Sequence, residues 1–160
     1  GGQKLAAMLL FITDVKSIGL QTAQGLNLTE TFYWDLNDKT RAFSERFAKR
    51  MRKGSPPTMT HAGVYGGLLH YFKALEAMGG NPHDGAKVVA KMKTMPTDDP
   101  LFGPGAIEPN GRAIHPAYLF EVKKPSESKG PWDLYKLVGT TPADQAFLPI
   151  GQSTCALLKK

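Results

Sequence analysis

The stretch LLFITDVKSIGLQTAQGLNLTETFYWDLND (residues 9–38) holds two apolar runs, each ending in a carboxylate. Leu9 to Ile12 reads as a strand buried on both faces that stops at Thr13-Asp14. Leu26 to Trp34 reads as a second strand, stopping at Asp35. Open α/β sheets contact their ligands at the carboxyl ends of strands. Asp14 therefore has two readings: an anchor for the ammonium group of a small ligand, or the cap of the turn DVKSIG. The run Phe32-Tyr33-Trp34 is equally double, as ordinary strand formers or as the wall of an apolar ligand site.

Outward from this stretch, DKTRAFSERFAKRMRKG (38–54) predicts an amphipathic helix. Asn37 or Asp38 caps it, Phe43, Phe47 and Met51 share one face, and Gly54 is its stop. SPPTMTHAGVYGGLLHYFKALEAMGG (55–80) predicts a second helix starting near Thr58 or Thr60, apolar almost all round and so expected to be buried. Gly63, Gly66 and Gly67 each cost about 1 kcal/mol against alanine, which implies a backbone or ligand passing close. Asn81-Pro82 reads as the cap and first position of a third helix, with Val88, Val89, Met92 and Met95 inward and Pro96 ending it. Ile107 and Ile114 flank the turn EPNGR (108–112) as in a hairpin. AYLFEVKK (117–124) and WDLYKLVGTT (132–141) are the last strands, joined by the exposed loop PSESKGP, and the tail from Pro142 is irregular. This order of strand, strand, three helices, hairpin, strand, strand lacks the alternation of a self-contained βαβαβ unit.

Composition narrows the function. The 160 residues suffice for a domain with a real core, and 41% hydrophobic with 21% charged residues is ordinary for a globular chain. No run approaches the roughly 20 apolar residues of a membrane span. The opening Gly-Gly-Gln-Lys carries no signal-peptide pattern, which leaves a cytoplasmic protein, a mature exported one and a fragment all open. Cys155 is alone, so no internal disulfide or multi-cysteine metal site forms; it is a free tail thiol or half of a pair with a segment outside this chain. Twenty Lys plus Arg against 14 Asp plus Glu give +6. The basic residues cluster at 49–53, 90–93, 123–124 and the final two positions without interleaved aromatics, which favours solvated faces over nucleic acid.

No phosphate loop, nucleophile elbow or metal-ligand spacing is present, and no cofactor or metal is expected. Asp98-Asp99 beside Pro100 reads as a turn ahead of a cation chelate. His61 and Tyr65 stand one turn apart at the start of the second helix, where free amides attract anions; the other reading makes them core residues. His61 with Asp14 would be the acid/base pair of a small enzyme, the main alternative to a binding module, and a basic nucleic-acid-binding domain is another.

Taken in register, FITDVKSIGLQTAQGL, FYWDLNDKTRAFSERFAKRM, PTMTHAGVYGGLLHYFKALEA, NGRAIHPAYLFEVKKPSESKGPWDLYKLV and CALLKK resemble the type I periplasmic solute-binding proteins of the leucine/isoleucine/valine-binding family, which serve ABC importers. The resemblance covers essentially the whole chain but only the C-terminal part of such a protein. It implies an α/β fold made of parts of two lobes and incomplete without the N-terminal half. Residues 1–32 and 117–160 would belong to the second lobe and 33–116 to the first, with crossings near Tyr33–Asp38 and His115–Tyr118. It further implies a receptor that closes on an amino acid or related small carboxylate and makes no bond. Asp14, with Thr13, would face the ligand's amino group; His61 and Tyr65 would approach from the first lobe, with Phe102 a further contact. The implied partners are the importer's membrane subunits. The implied location is the periplasm, or outside the cell and membrane-anchored in a Gram-positive source. Incomplete lobes leave sheet edges bare, so the chain alone is expected to self-associate.

Overall fold

In the computed structural model, which describes residues 2–80 and 83–158, the first strand is only Ala6–Ala7 (β1). The run Leu9–Ile12 is not a strand: Leu9 is 71% exposed, and Ile12 already opens the helix Ile12–Ile18 (α1). Ile12 and Val15 are the buried pair, so the run follows the three-residue helical spacing rather than a strand's. Leu20–Ala23 (α2) follows, and then Asn27–Glu30 (β2). The second run therefore leaves the sheet four residues before Trp34.

Asp38–Ala48 (α3) is capped by Asn37, whose side chain accepts the Thr40 N–H at 3.1 Å while the Thr40 hydroxyl accepts the Asn37 N–H at 3.0 Å. The helix ends at Ala48, short of Gly54, and a 3-10 turn at Arg52–Gly54 takes up the remainder. Arg46 donates to the carbonyl of Ala42 at 3.1 Å, and Arg50, in the cluster at 49–53, to that of Arg46 at 3.5 Å. Met59–Ala77 (α4) and Gly85–Thr94 (α5) are the next helices. Asn81 and Pro82 lie outside the described residues. Thr97–Asp99 (β3), Gly103–Ile107 (β4) and Ala113–Ile114 (β5) form an antiparallel sheet. Its hairpin is closed by Gly111 N–H on Glu108 O at 2.8 Å, with Gly111 at the left-handed φ of 87°. Ala117–Val122 (β6) and Tyr135–Thr141 (β7) complete the strands, and the tail holds the short helix Ala143–Ala146 (α6).

The chain packs as two units. The first runs to His61 and includes Ala117–Thr141. Its sheet has the order β1-β2-β6-β7, with β1 parallel to β2 and the other pairs antiparallel. Leu28 lies opposite Phe120, and Glu30 opposite Tyr118. The core joins Ile12 and Val15 of α1 to Leu28, Phe120, Val122 and Tyr135 of the sheet, with Tyr33 folded over them.

The second unit comprises Ala62–Pro116 and the segment from Pro142. Here α4 departs from expectation. Ala62, His70 and Ala74 are buried, but Val64, Leu68 and Phe72 form an exposed apolar stripe, Phe72 at 58%. The helix is apolar all round, yet this chain covers only one of its faces. His70 Nε2 donates to Met92 O at 2.8 Å, since a carbonyl can only accept, and this leaves buried Nδ1 without a partner among the described residues. At Gly66 the close approach is made by side chains rather than by the expected backbone or ligand: a Cβ there would stand 3.1 Å from Asp99 Oδ2 and 3.4 Å from the Phe102 ring. Gly63 and Gly67 face open space. Asp99 is a turn residue, accepting from Leu101 N–H at 2.7 Å and Phe102 N–H at 2.9 Å.

Candidate functional site

In the first unit, α1 enters after β1 and Glu30 ends β2, so the two parallel strands present their carboxyl ends side by side. Thr13 and Asp14 are exposed in the first turn of α1. Asp14 Oδ2 accepts the Phe11 N–H at 2.8 Å, so the carboxylate caps the helix, and among the described residues Oδ1 makes no hydrogen bond. The cap reading is thus realised at a helix start rather than at a strand end.

The sequence reading missed Glu30. It is 2% exposed and lies on the core face of β2 with Leu28. Burial, reinforced by the nearby Asp14 carboxylate, pushes its pKa up to about 8 although the Tyr135 hydroxyl pulls the other way. At neutral pH Glu30 is therefore an uncharged acid, able to donate a hydrogen bond. Neither Glu30 Oε1 nor Tyr135 OH completes a hydrogen bond of normal geometry among the described residues. Burial likewise raises the pKa of Tyr33 and Tyr135. Tyr33 stacks on Tyr135 at 5.1 Å and meets Phe120 at a tilt of 53° with ring centres 5.3 Å apart; its hydroxyl accepts the Tyr135 N–H at 3.3 Å. A signal for Glu30 existed: the alternation Leu28, Glu30, Phe32 puts a carboxylate among the inward residues of a strand.

His61, exposed at the start of α4, is also occupied locally. The Thr58 N–H donates to its Nδ1 at 3.2 Å, so the neutral ring carries its proton on Nε2. Its edge meets the Phe47 ring at 5.0 Å. No hydrogen bond or ion pair joins it to Asp14 among the described residues, as an acid/base dyad requires. Tyr65 and Phe102 belong to the second unit, Tyr65 36% exposed on α4 and Phe102 stacked on His115 at 4.5 Å. Thr13, Asp14 and Glu30 are thus brought together within one unit, whereas Tyr65 and Phe102 are elements of the other. Among the described residues no group of three His, Cys, Asp or Glu side chains is placed to hold a metal, and no helix is long and apolar enough to cross a membrane.

The family model described as periplasmic binding protein matches residues 1–131. The chain belongs to the periplasmic binding protein family. A periplasmic binding protein from Burkholderia mallei is 44% identical, with a TM-score of 0.89 over 96% of this chain and 40% of that one. A branched-chain amino acid ABC transporter periplasmic ligand-binding protein from Burkholderia xenovorans LB400 is 42% identical, with a TM-score of 0.89 over 97% of this chain and 40% of that one. A solute-binding protein of an ABC transporter from R. palustris, solved in complex with 4-hydroxybenzoate, is 26% identical, with a TM-score of 0.76 over 94% and 40%. This periplasmic binding protein chain therefore spans about 40% of the length of these solved relatives. No curated protein matches it.

Proposed function

We propose that this chain contributes to the substrate-binding component of an ABC importer, which captures an amino acid or related small carboxylate between two lobes. The observation that carries this reading is the agreement of nearly the whole chain with the two Burkholderia proteins at 42–44% identity. The relatives include a branched-chain amino acid ABC transporter ligand-binding protein and a solute-binding protein solved with 4-hydroxybenzoate, and small carboxylates are the ligand class these two share. In this reading residues 1–32 and 117–160 serve one lobe and 33–116 the other; the return of the chain to its first unit at Ala117 supports the second crossing, whereas residues 33–61 pack with the first unit and those from Pro142 with the second. Closure on the ligand is the event the importer's membrane subunits detect, no bond is made or broken, and the working compartment is the periplasm or the outer face of the cell.

Asp14 offers the free Oδ1 to a ligand ammonium, with Thr13 beside it, and His61, Tyr65 and Phe102 act from the first lobe. The test is a thermal-shift panel of amino acids and hydroxybenzoates on the full-length receptor, since a ligand that binds only the folded state raises its stability. Asp14→Ala is expected to weaken an α-amino acid at least tenfold, the loss of a charge-assisted hydrogen bond, and to leave a benzoate unchanged. Equal affinity for the amino acid before and after the substitution removes Asp14 from the site.

The chain alone is expected to self-associate through the stripe Val64, Leu68 and Phe72. Sedimentation velocity over a hundredfold concentration range checks this, and Phe72→Glu should return the chain toward monomer. A monomer at every concentration contradicts it.

A further inference from the structure

The chain has two tryptophans, and both line one cleft in the first unit. Trp34, Asp35, Lys129, Pro131, Trp132 and Asp133 line an open cleft of about 350 Å³, within the roughly 300–1,000 Å³ usual for small-molecule sites. The walls are held in place before any ligand arrives. Trp34 Nε1–H donates to Trp132 O at 2.9 Å, and Tyr33 OH reaches the same carbonyl at 3.4 Å. The loop behind them is tied by Ser128 Oγ on Gly130 O at 2.9 Å and by Lys129 N–H on Asp133 Oδ2 at 2.9 Å. Preformed walls reduce the entropy lost on binding.

The charges of the cleft are not balanced. Asp35 is taken by Arg41, Nη1 to Oδ1 at 2.9 Å. Asp133 is taken by the Lys123 ammonium on Oδ1 and by the Lys129 N–H on Oδ2. The Lys129 ammonium forms no hydrogen bond or ion pair among the described residues, and Asp133, already paired, reaches it only through space. A second cation, Lys16, stands 5.5 Å from the centre of the Trp132 ring and donates to Pro131 O at 2.7 Å. Two indoles with a spare ammonium and neutralised carboxylates select a flat ring bearing one negative charge.

We infer that this cleft binds a planar aromatic monocarboxylate of the benzoate class, its ring against the indoles and its carboxylate on Lys129. Every lining residue lies in the first unit, and Asp14 is not among them, so the cleft is separate from the site that uses Asp14. The inference does not rest on the transport reading. Because the cleft holds both tryptophans, the chain's own fluorescence reports on it. The experiment titrates the chain with benzoate, with benzylamine as the same ring of opposite charge, and with acetate as the carboxylate without the ring. The expected result is a saturable change with benzoate alone, a Kd at least fivefold weaker in Lys129→Ala, and an unchanged Kd in Asp14→Ala. Lys129 is exposed, so its replacement leaves the fold intact; Trp34→Phe and Trp132→Phe then assign the signal to each wall. An equal response to benzylamine or acetate, a response that never saturates, or an unaltered Kd in Lys129→Ala overturns the proposal. A loss in Asp14→Ala alone would place benzoate in the other site and overturn it equally.

Discussion

Glu30→Gln is expected to stabilise the chain at pH 9 and to flatten its response to pH. An unfolded glutamate releases its proton near 4.5, whereas folded Glu30 holds it to about 8. Between those values the folded chain binds a proton that the unfolded chain has lost, so stability falls as pH rises, by at most about 1.4 kcal/mol per unit. The full contribution is present below pH 4.5, and above pH 8 the loss is complete. Glutamine keeps the shape and the donor without the titration, so a gap of about 4 kcal/mol should open between the two proteins from pH 5 to pH 9. Denaturant midpoints at pH 5, 7 and 9 measure it. Parallel profiles for the two proteins would show that Glu30 does not hold the proton.

Tyr33→Ala should cost about 3–5 kcal/mol, the range for emptying a large aromatic from a core. Tyr33 is buried, stacked on Tyr135 and packed at a tilt against Phe120, so its removal empties the centre of this aromatic cluster. Tyr33→Phe separates the ring from its hydroxyl. It keeps the packing but orphans the buried Tyr135 N–H, for about 1–3 kcal/mol. The carbonyl of Trp132 keeps its bonds from Trp34 and Leu134, so it adds little. Urea titrations of the two variants with equal slopes test the order; a Phe variant as unstable as the Ala variant would assign the whole effect to the hydroxyl.

Local rules made much of this fold readable. Asn37 caps α3, the EPNGR turn closes β4 on β5, and β6 and β7 lie where their alternating residues put them. The readings that failed did so for identifiable reasons. A four-residue apolar run does not reveal its period, and Leu9–Ile12 went to a helix because Asp14 caps it. Uniform apolarity identified α4 as a helix without saying which of its faces this chain would cover. At the site, Asp14 was visible because a carboxylate ends an apolar run, and Glu30 was visible in the alternation but passed over. The pairing of Trp34 with Trp132 was beyond local reading, because it depends on a β6–β7 loop returning to a segment remote in sequence.

The order of strands also sets a timetable for synthesis. β2 has on one side only the two-residue β1, and its other partner is β6, made after all of α3, α4, α5 and the hairpin. Leu28 leaves the ribosome long before Phe120, and at roughly 5–20 residues per second the nascent strand waits some seconds with its edge bare. The second unit cannot shorten that interval, since Ala62–Pro116 is translated inside it and its remaining segment, from Pro142, after it. A strand edge left unpaired for that time is a template for non-native pairing, so the interval measures the exposure to aggregation that this topology carries.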